Sequence, residues 1–424
     1  MKRFFVLCLT QVMLQAFGSG QNAGNNLQMA PTKMSPGEAY RYSMQPFVDA
    51  RQAPNDYTDA DKWAWGLSIA RAKEQCAGLA PFKEQTEELL ALGKLCLLGQ
   101  DFESARAALI AYLGLPKMAS AEEAHVLLAR AFLGLKWISS AESQMQSLMS
   151  VFPYDADIHL AIDQVIDAAE ASNNPMDTAV MDRLNDQQLP FTLKALANGG
   201  SLKGADIAVD ASTLARDALR CAGALRRIGK PKDAEAIVSQ VKAALEAPPI
   251  ATSASALVIQ TALARYAMTG QASPWKTVHG TAILSNGTLV PSSAMFTGRK
   301  TVIVVFSLAA PASSDVINKI AAALQQNKQE LAVKLIAATS YAANAGEDTQ
   351  SRAVLETLKA FRPSIPARVP LLIAPENELK VFSIDAYPAA IVIGENGQVQ
   401  FVDVISGTEG SIHRVLKSLL APQR

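Results

Sequence analysis

"VIVVFSLAAPASSDVINKI", residues 302–320, is an unbroken apolar run followed by a proline among small residues and then a helical pattern. Val302–Phe306 is apolar at every position and largely β-branched. That predicts a strand buried on both faces rather than one with a wet side. After Pro311, Ala312, Ser313 and Ser314, apolar residues recur at Val316, Ile317, Ile320 and Leu324, the spacing of a buried helix face. A buried strand therefore passes through one short loop into a helix, and the loop carries no cysteine.

Around this unit, β-rich runs alternate with helices over the last part of the chain, the pattern of an α/β domain with a central sheet. "TAILSNGTLV" (281–290) reads as a hairpin turning at Asn286-Gly287. Further strands are expected at 332–339 and 369–374. "YPAAIVIGENGQVQFVDVIS" (387–406) reads as a second hairpin, turning at Asn396-Gly397. Helices are expected at 314–329, 351–361 and 409–420.

The order of hairpin, βαβ and ββα resembles the thioredoxin-like superfamily, nearest its exported thiol–disulfide oxidoreductase and redoxin branch, over residues 275–421. The resemblance rests on "SNGTLV…FTGRKTVIVVF", on 302–320, and on "IDAYPAAIVIGENGQV" (384–399). In that family the strand runs into a Cys-x-x-Cys pair at the helix start, where the helix terminus stabilises a thiolate and the second cysteine resolves the mixed disulfide. Pro311, Ala312, Ser313 and Ser314 stand there in this chain. Serine can cap a helix but cannot exchange with a disulfide. The resemblance also places Tyr387-Pro388 at the family's cis-proline position, beside a groove that accepts an extended peptide. No cysteine follows Cys221, which excludes dithiol catalysis within this domain. Serine hydrolysis lacks a positioned base, because neither motif nor spacing ties His279 or His413 to the loop.

Residues 57–270 are rich in Ala and Leu and read as helical. "LLALGKLCLLGQDFESARAALIAYLGLP" (89–116) aligns with "HVLLARAFLGLKWISSAESQMQSLMSVFP" (125–153) and with "ALRCAGALRRIGKPKDAEAIVSQVKAALEAPP" (218–249). Each copy has a small residue in its first helix (Gly93, Ala129, Ala222) and a bulkier one three later (Cys96, Phe132, Leu225). An alanine follows in the second helix (Ala105, Ala141, Ala234), then an apolar residue (Leu109, Met145, Val238). Close antiparallel helices need small residues at the contact and large ones beside it. This pattern resembles degenerate tetratricopeptide repeats. Cys96 and Cys221 fall at packing positions and read as small buried hydrophobes. An antiparallel pairing of the first helices would hold Cys76 and Cys96 too far apart to bridge.

The N-terminal "MKRFFVLCLTQVMLQAFGSG" has the order of a secretory signal: charged residues, a short apolar run, then small residues. Residues 21–56 read as a flexible leader. Lys plus Arg (39) equals Asp plus Glu (39) without basic clusters, which argues against a nucleic-acid or anionic-membrane surface. The cysteine spacings and four scattered histidines match no metal-ligand pattern, so no metal and no cofactor are expected.

The sequence thus predicts a multidomain chain: signal peptide 1–20, leader 21–56, an all-α helical-repeat domain at 57–270 and an α/β thioredoxin-like domain at 275–424. The expected role is an exported (bacterial periplasm or secreted), non-catalytic scaffold that binds a protein or extended peptide. It would have no membrane span in the mature chain. The competing expectation is a divergent thiol–disulfide oxidoreductase or redoxin/peroxidase.

Overall fold

The computed structural model describes residues 34–51, 59–79, 87–172, 174–204, 207–274, 281–283, 289–291, 299–307, 313–329, 333–341, 356–375, 379–384, 386–405 and 407–420. The chain is largely helical, with one mixed sheet of seven strands. It forms two compact units, one of residues 1–188 and 202–208, the other of residues 189–201 and 209–424. The signal segment 1–20 lies outside the described residues. Among the described residues, no helix is long and apolar enough to cross a membrane.

The first unit contains α1 (Pro36–Ala50), α2 (Asp59–Leu79), α3 (Glu88–Leu98), α4 (Phe102–Leu113), α5 (Ala121–Gly134), α6 (Ile138–Val151) and α7 (Ala156–Ala171). A further helix, α8 (Pro175–Ala197), runs across the divide. Within the expected flexible leader, α1 is a helix with a capping box. Ser35 Oγ accepts from the Glu38 N–H, and the Glu38 carboxylate accepts from the Ser35 N–H at 2.9 Å. Its Ala39, Ser43 and Phe47 stand four residues apart and are buried, with the Phe47 ring 4.9 Å from Trp65 and edge-on to it. That spacing supplies an apolar stripe which the Asn/Gln/Pro-rich surroundings obscure.

The helix pairs α3–α4 and α5–α6 are hairpins whose connections have one shape. Gln100 and Lys136, the middle residues, both adopt left-handed backbone (φ 62° and 61°). The next N–H then donates five residues back, Asp101 to Cys96 O at 2.9 Å and Trp137 to Phe132 O at 2.8 Å, which closes the helix end as a Schellman motif does. At the contact, Gly93 lies so close to Leu109 that an added Cβ would sit 2.6 Å from its Cγ.

One expectation about this unit is corrected. Cys76 and Cys96 form a disulfide, with Cα atoms 5.1 Å apart. The C-terminal ends of α2 and α3 meet rather than lying at opposite ends of a hairpin. Gly99 abuts the backbone of Ala72 and Lys73, which leaves no room for a Cβ there.

The second unit combines helices α9 (Ala211–Arg227), α10 (Pro231–Glu246), α11 (Pro248–Ala251) and α12 (Ser255–Met268) with the sheet. The α9–α10 connection repeats the turn above, with Gly229 at φ 83° and Lys230 N–H donating to Leu225 O. In this copy the buried stripe of α10 is Ala234, Ile237, Val241 and Ala244, so Ile237 takes the buried place expected of Val238.

The strands of the seven-stranded sheet are β1 (Thr281–Ile283), β2 (Leu289–Pro291), β3 (Lys300–Val305), β4 (Val333–Tyr341), β5 (Leu371–Pro375), β6 (Ala389–Ile393) and β7 (Val399–Val404). Their spatial order is β2-β1-β5-β4-β3-β6-β7. β3 runs parallel to β4 and antiparallel to β6. Helix α13 (Ser313–Gln326) joins β3 to β4, and α14 (Glu409–Leu420) follows β7.

The apolar run at 302–306 is fully used. Val302, Val304 and Phe306 face a core built with α13 and α14, whereas Ile303 and Val305 face a second core containing Leu379, Phe382 and Met268. Alternation of side chains along a strand with two covered faces leaves no position for a polar residue. The β6–β7 hairpin turns at Asn396-Gly397 as expected, with Gly397 at φ 76° and Asn396 Oδ1 accepting from the Gln398 N–H. The expected Asn286-Gly287 turn lies outside the described residues, although β1 and β2 pair on either side of it.

Candidate functional site

The site suggested by the sequence is built where β3 ends and α13 begins. Phe306 closes the strand: its N–H donates to Ala338 O at 2.8 Å, and its buried ring stacks on Phe361 with centroids 4.8 Å apart. Pro311 and Ala312 lie outside the described residues. Ser313 opens α13 and is 1% exposed, and Ser314 is half-buried. The Ser313 hydroxyl donates to Ser307 O at 3.1 Å and so ties the helix start to the end of the strand. Asp315 brings a carboxylate to the first turn, where the helix dipole favours negative charge. It pairs with Lys319 at 2.8 Å, and Lys319 also donates to Gly407 O at 3.1 Å.

On the neighbouring strand, the Tyr387-Pro388 peptide is cis. Pro388 is buried and its carbonyl accepts from the Ile405 N–H at 2.8 Å, while Tyr387 remains 38% exposed. Because Val305 pairs with Ala389 in antiparallel register, Pro388 comes level with Phe306, at the mouth of the loop. Ser313, Tyr387 and Pro388 thus gather at one end of the sheet.

Pro311 and Ser314 fall where the resemblance implies the two cysteines, and neither side chain can exchange with a disulfide. Cys76 and Cys96 are fully buried in their disulfide, and Cys221 is buried outside it. Sequence reasoning missed the parts played by Phe361, Lys319 and Gly407. Each comes from an element whose packing partner the local pattern does not name.

No protein-family model matches the chain, and no curated protein matches it. Solved structures that match include a thioredoxin-like protein from Bacteroides caccae, at 11% identity, covering 74% of this chain and 92% of that one with a TM-score of 0.26. A thioredoxin-like protein from Porphyromonas gingivalis matches at 17% identity over 36% of this chain and 91% of that one, TM-score 0.26. One from Aeropyrum pernix matches at 10% over 33% and 88%, TM-score 0.24. The strand order β4-β3-β6-β7, with α13 between β3 and β4 and α14 after β7, is independent of those likenesses. It is the βαβ–ββα order that the sequence resemblance implies.

Proposed function

We propose that this chain is an exported, non-catalytic interaction scaffold, in which tetratricopeptide-like hairpins accompany a thioredoxin-like domain that has lost its redox reagent. The observation that carries the reading is the stretch Pro311–Ser314, in which Pro311 and Ser314 fall at the two thiol positions of the Cys-x-x-Cys pair, while Ser313 between them ties the helix start to Ser307 O. The partner in this reading is a protein segment in extended conformation, docking at the exposed Tyr387 beside the buried cis-Pro388. The Cys76–Cys96 disulfide supports export, because such bonds persist in oxidising compartments. The division into a repeat domain at 57–270 and a thioredoxin-like domain at 275–424 belongs to the same proposal.

Insulin-disulfide reduction with dithiothreitol tests it. The purified protein should give no turnover above the reductant alone. Turnover that disappears in Cys221→Ser would overturn the reading in favour of the divergent oxidoreductase. The binding half is tested by pull-down from the exported fraction. Tyr387→Ala should lose the captured segment while its thermal midpoint stays unchanged.

A further inference from the structure

Away from the serine loop, the second unit contains a cavity of about 360 Å³ between α9, α12, β7 and α14. We propose that it binds a small hydroxylated organic anion bearing two or more phosphate or carboxylate groups. Five guanidiniums line it: Arg216, Arg220 and Arg226 from α9, Arg265 from α12 and Arg414 from α14. Among the lining residues Asp403 supplies the one carboxylate, and its Oδ1 already accepts from the Val404 N–H. Asp217 stands behind, 3.3 Å from Arg220, and Asp210 is within electrostatic reach of Arg216. Five guanidiniums thus stand against one carboxylate among the residues that line the cavity, although the chain as a whole is neutral.

Guanidiniums brought to one cavity from three helices offer an anion several charge-assisted donors at once. The planar guanidinium fork matches the oxyanions of phosphate and carboxylate. Arg265 is 3% exposed, and its Nη1 is held by Ser383 O at 2.9 Å, so its guanidinium is fixed in position before any ligand arrives.

The remaining walls define the rest of the ligand. Leu219, Val399, Phe401 and Val402 provide apolar surface for a carbon skeleton, and Tyr266 adds a ring over which Arg226 lies at 5.8 Å. The Gln400 amide oxygen is buried and accepts no hydrogen bond, so a ligand hydroxyl would satisfy it. The volume lies in the lower part of the range of roughly 300–1,000 Å³ for small-molecule sites.

The experiment is calorimetric titration of the full chain with fructose 1,6-bisphosphate, with citrate, and with neutral fructose. At least one of the two anions should bind, with affinity falling as sodium chloride rises, and fructose should not bind. The tighter anion names the oxyanion, phosphate or carboxylate. Arg216→Gln and Arg414→Gln should each weaken binding about tenfold or more, as loss of a charge-assisted hydrogen bond does. A measurement on the unmodified chain guards against variants that fail to fold. Bound anion should protect Arg216 and Arg414 from phenylglyoxal, read by mass spectrometry. The proposal is overturned if neither anion binds, if fructose binds equally well, or if both arginines are labelled alike with and without the anion.

Discussion

At the scale of single residues, the helical hairpins depend on a few backbone positions. Gly93 permits α3 and α4 to approach, and a methyl group there would meet Leu109 Cγ at 2.6 Å, a branch point that cannot swing aside. Gly93→Ala should therefore cost about 1–3 kcal/mol, an overpacking penalty, seen as a lower denaturant midpoint with an unchanged m-value. The turn residues make a paired prediction of opposite sign. Gly229 occupies left-handed backbone without a Cβ penalty, so Gly229→Ala should destabilise by about 1 kcal/mol. Lys136 adopts the same conformation at φ 61° with a side chain attached, so Lys136→Gly should cost nothing and gain up to about 1 kcal/mol. Denaturant titration of the two variants measures both. If both destabilise equally, the shared turn geometry is not what holds these connections.

At the scale of elements, α9 shows how a cap makes stability depend on pH. Asp210 accepts from the Thr213 N–H at 2.9 Å and from the Ser212 hydroxyl at 2.8 Å. Burial pushes its carboxyl up, but these hydrogen bonds and the charge of Arg216 outweigh that and hold it below the ordinary value. A depressed carboxylate stabilises the fold above its unfolded value of about 3.9, and the contribution is lost as pH falls through the lower folded value. Asp210→Ala should thus cost about 1 kcal/mol at neutral pH, and the cost should shrink as the pH drops below that range. Asp210→Asn should keep most of the cap while removing the acid dependence. Urea unfolding followed across pH separates the two.

Elements differ in how far the sequence discloses them. The strand at 302–306 was readable because burial on both faces leaves an apolar residue at every position. Helix α1 had its signal in Ser35 and Glu38, yet composition alone argued for a leader. The serine loop and Pro388 could be placed by pattern, whereas the ring stack of Phe306 on Phe361 and the hold of Lys319 on Gly407 depend on tertiary packing. The Cys76–Cys96 bridge was misjudged because periodicity defines helices without saying which of their ends meet. Arg216 and Arg220, four apart, announce one face of α9. Only the fold brings them to Arg414 and β7, far downstream.

At the scale of the whole molecule, the sharpest change in composition and the compact units fall at different places. The text turns from helical to β-rich near residue 270, while the second unit takes in α9–α12 together with the sheet. The residues after α12 extend the sheet edge. Gly270 N–H donates to Val399 O at 2.8 Å, Val399 N–H to Gln271 O at 2.9 Å, and Ser273 N–H to Gly397 O at 2.8 Å. Met268 packs on the core formed by Ile303, Ile391 and Phe382, and Arg265 reaches Ser383 O. A fragment of residues 275–424 would expose that core face and leave the β7 edge unpaired, whereas residues 209–424 keep both. The three backbone hydrogen bonds and the Met268 side chain together make the longer fragment more stable by about 2–4 kcal/mol. Denaturant unfolding of the two fragments measures the difference. In the full chain, limited proteolysis should spare the backbone at 270–273, because cleavage needs an extended segment free of the sheet. Equal stability of the fragments, with early cutting at 270–273, would show that the helices are tethered to the sheet by sequence alone.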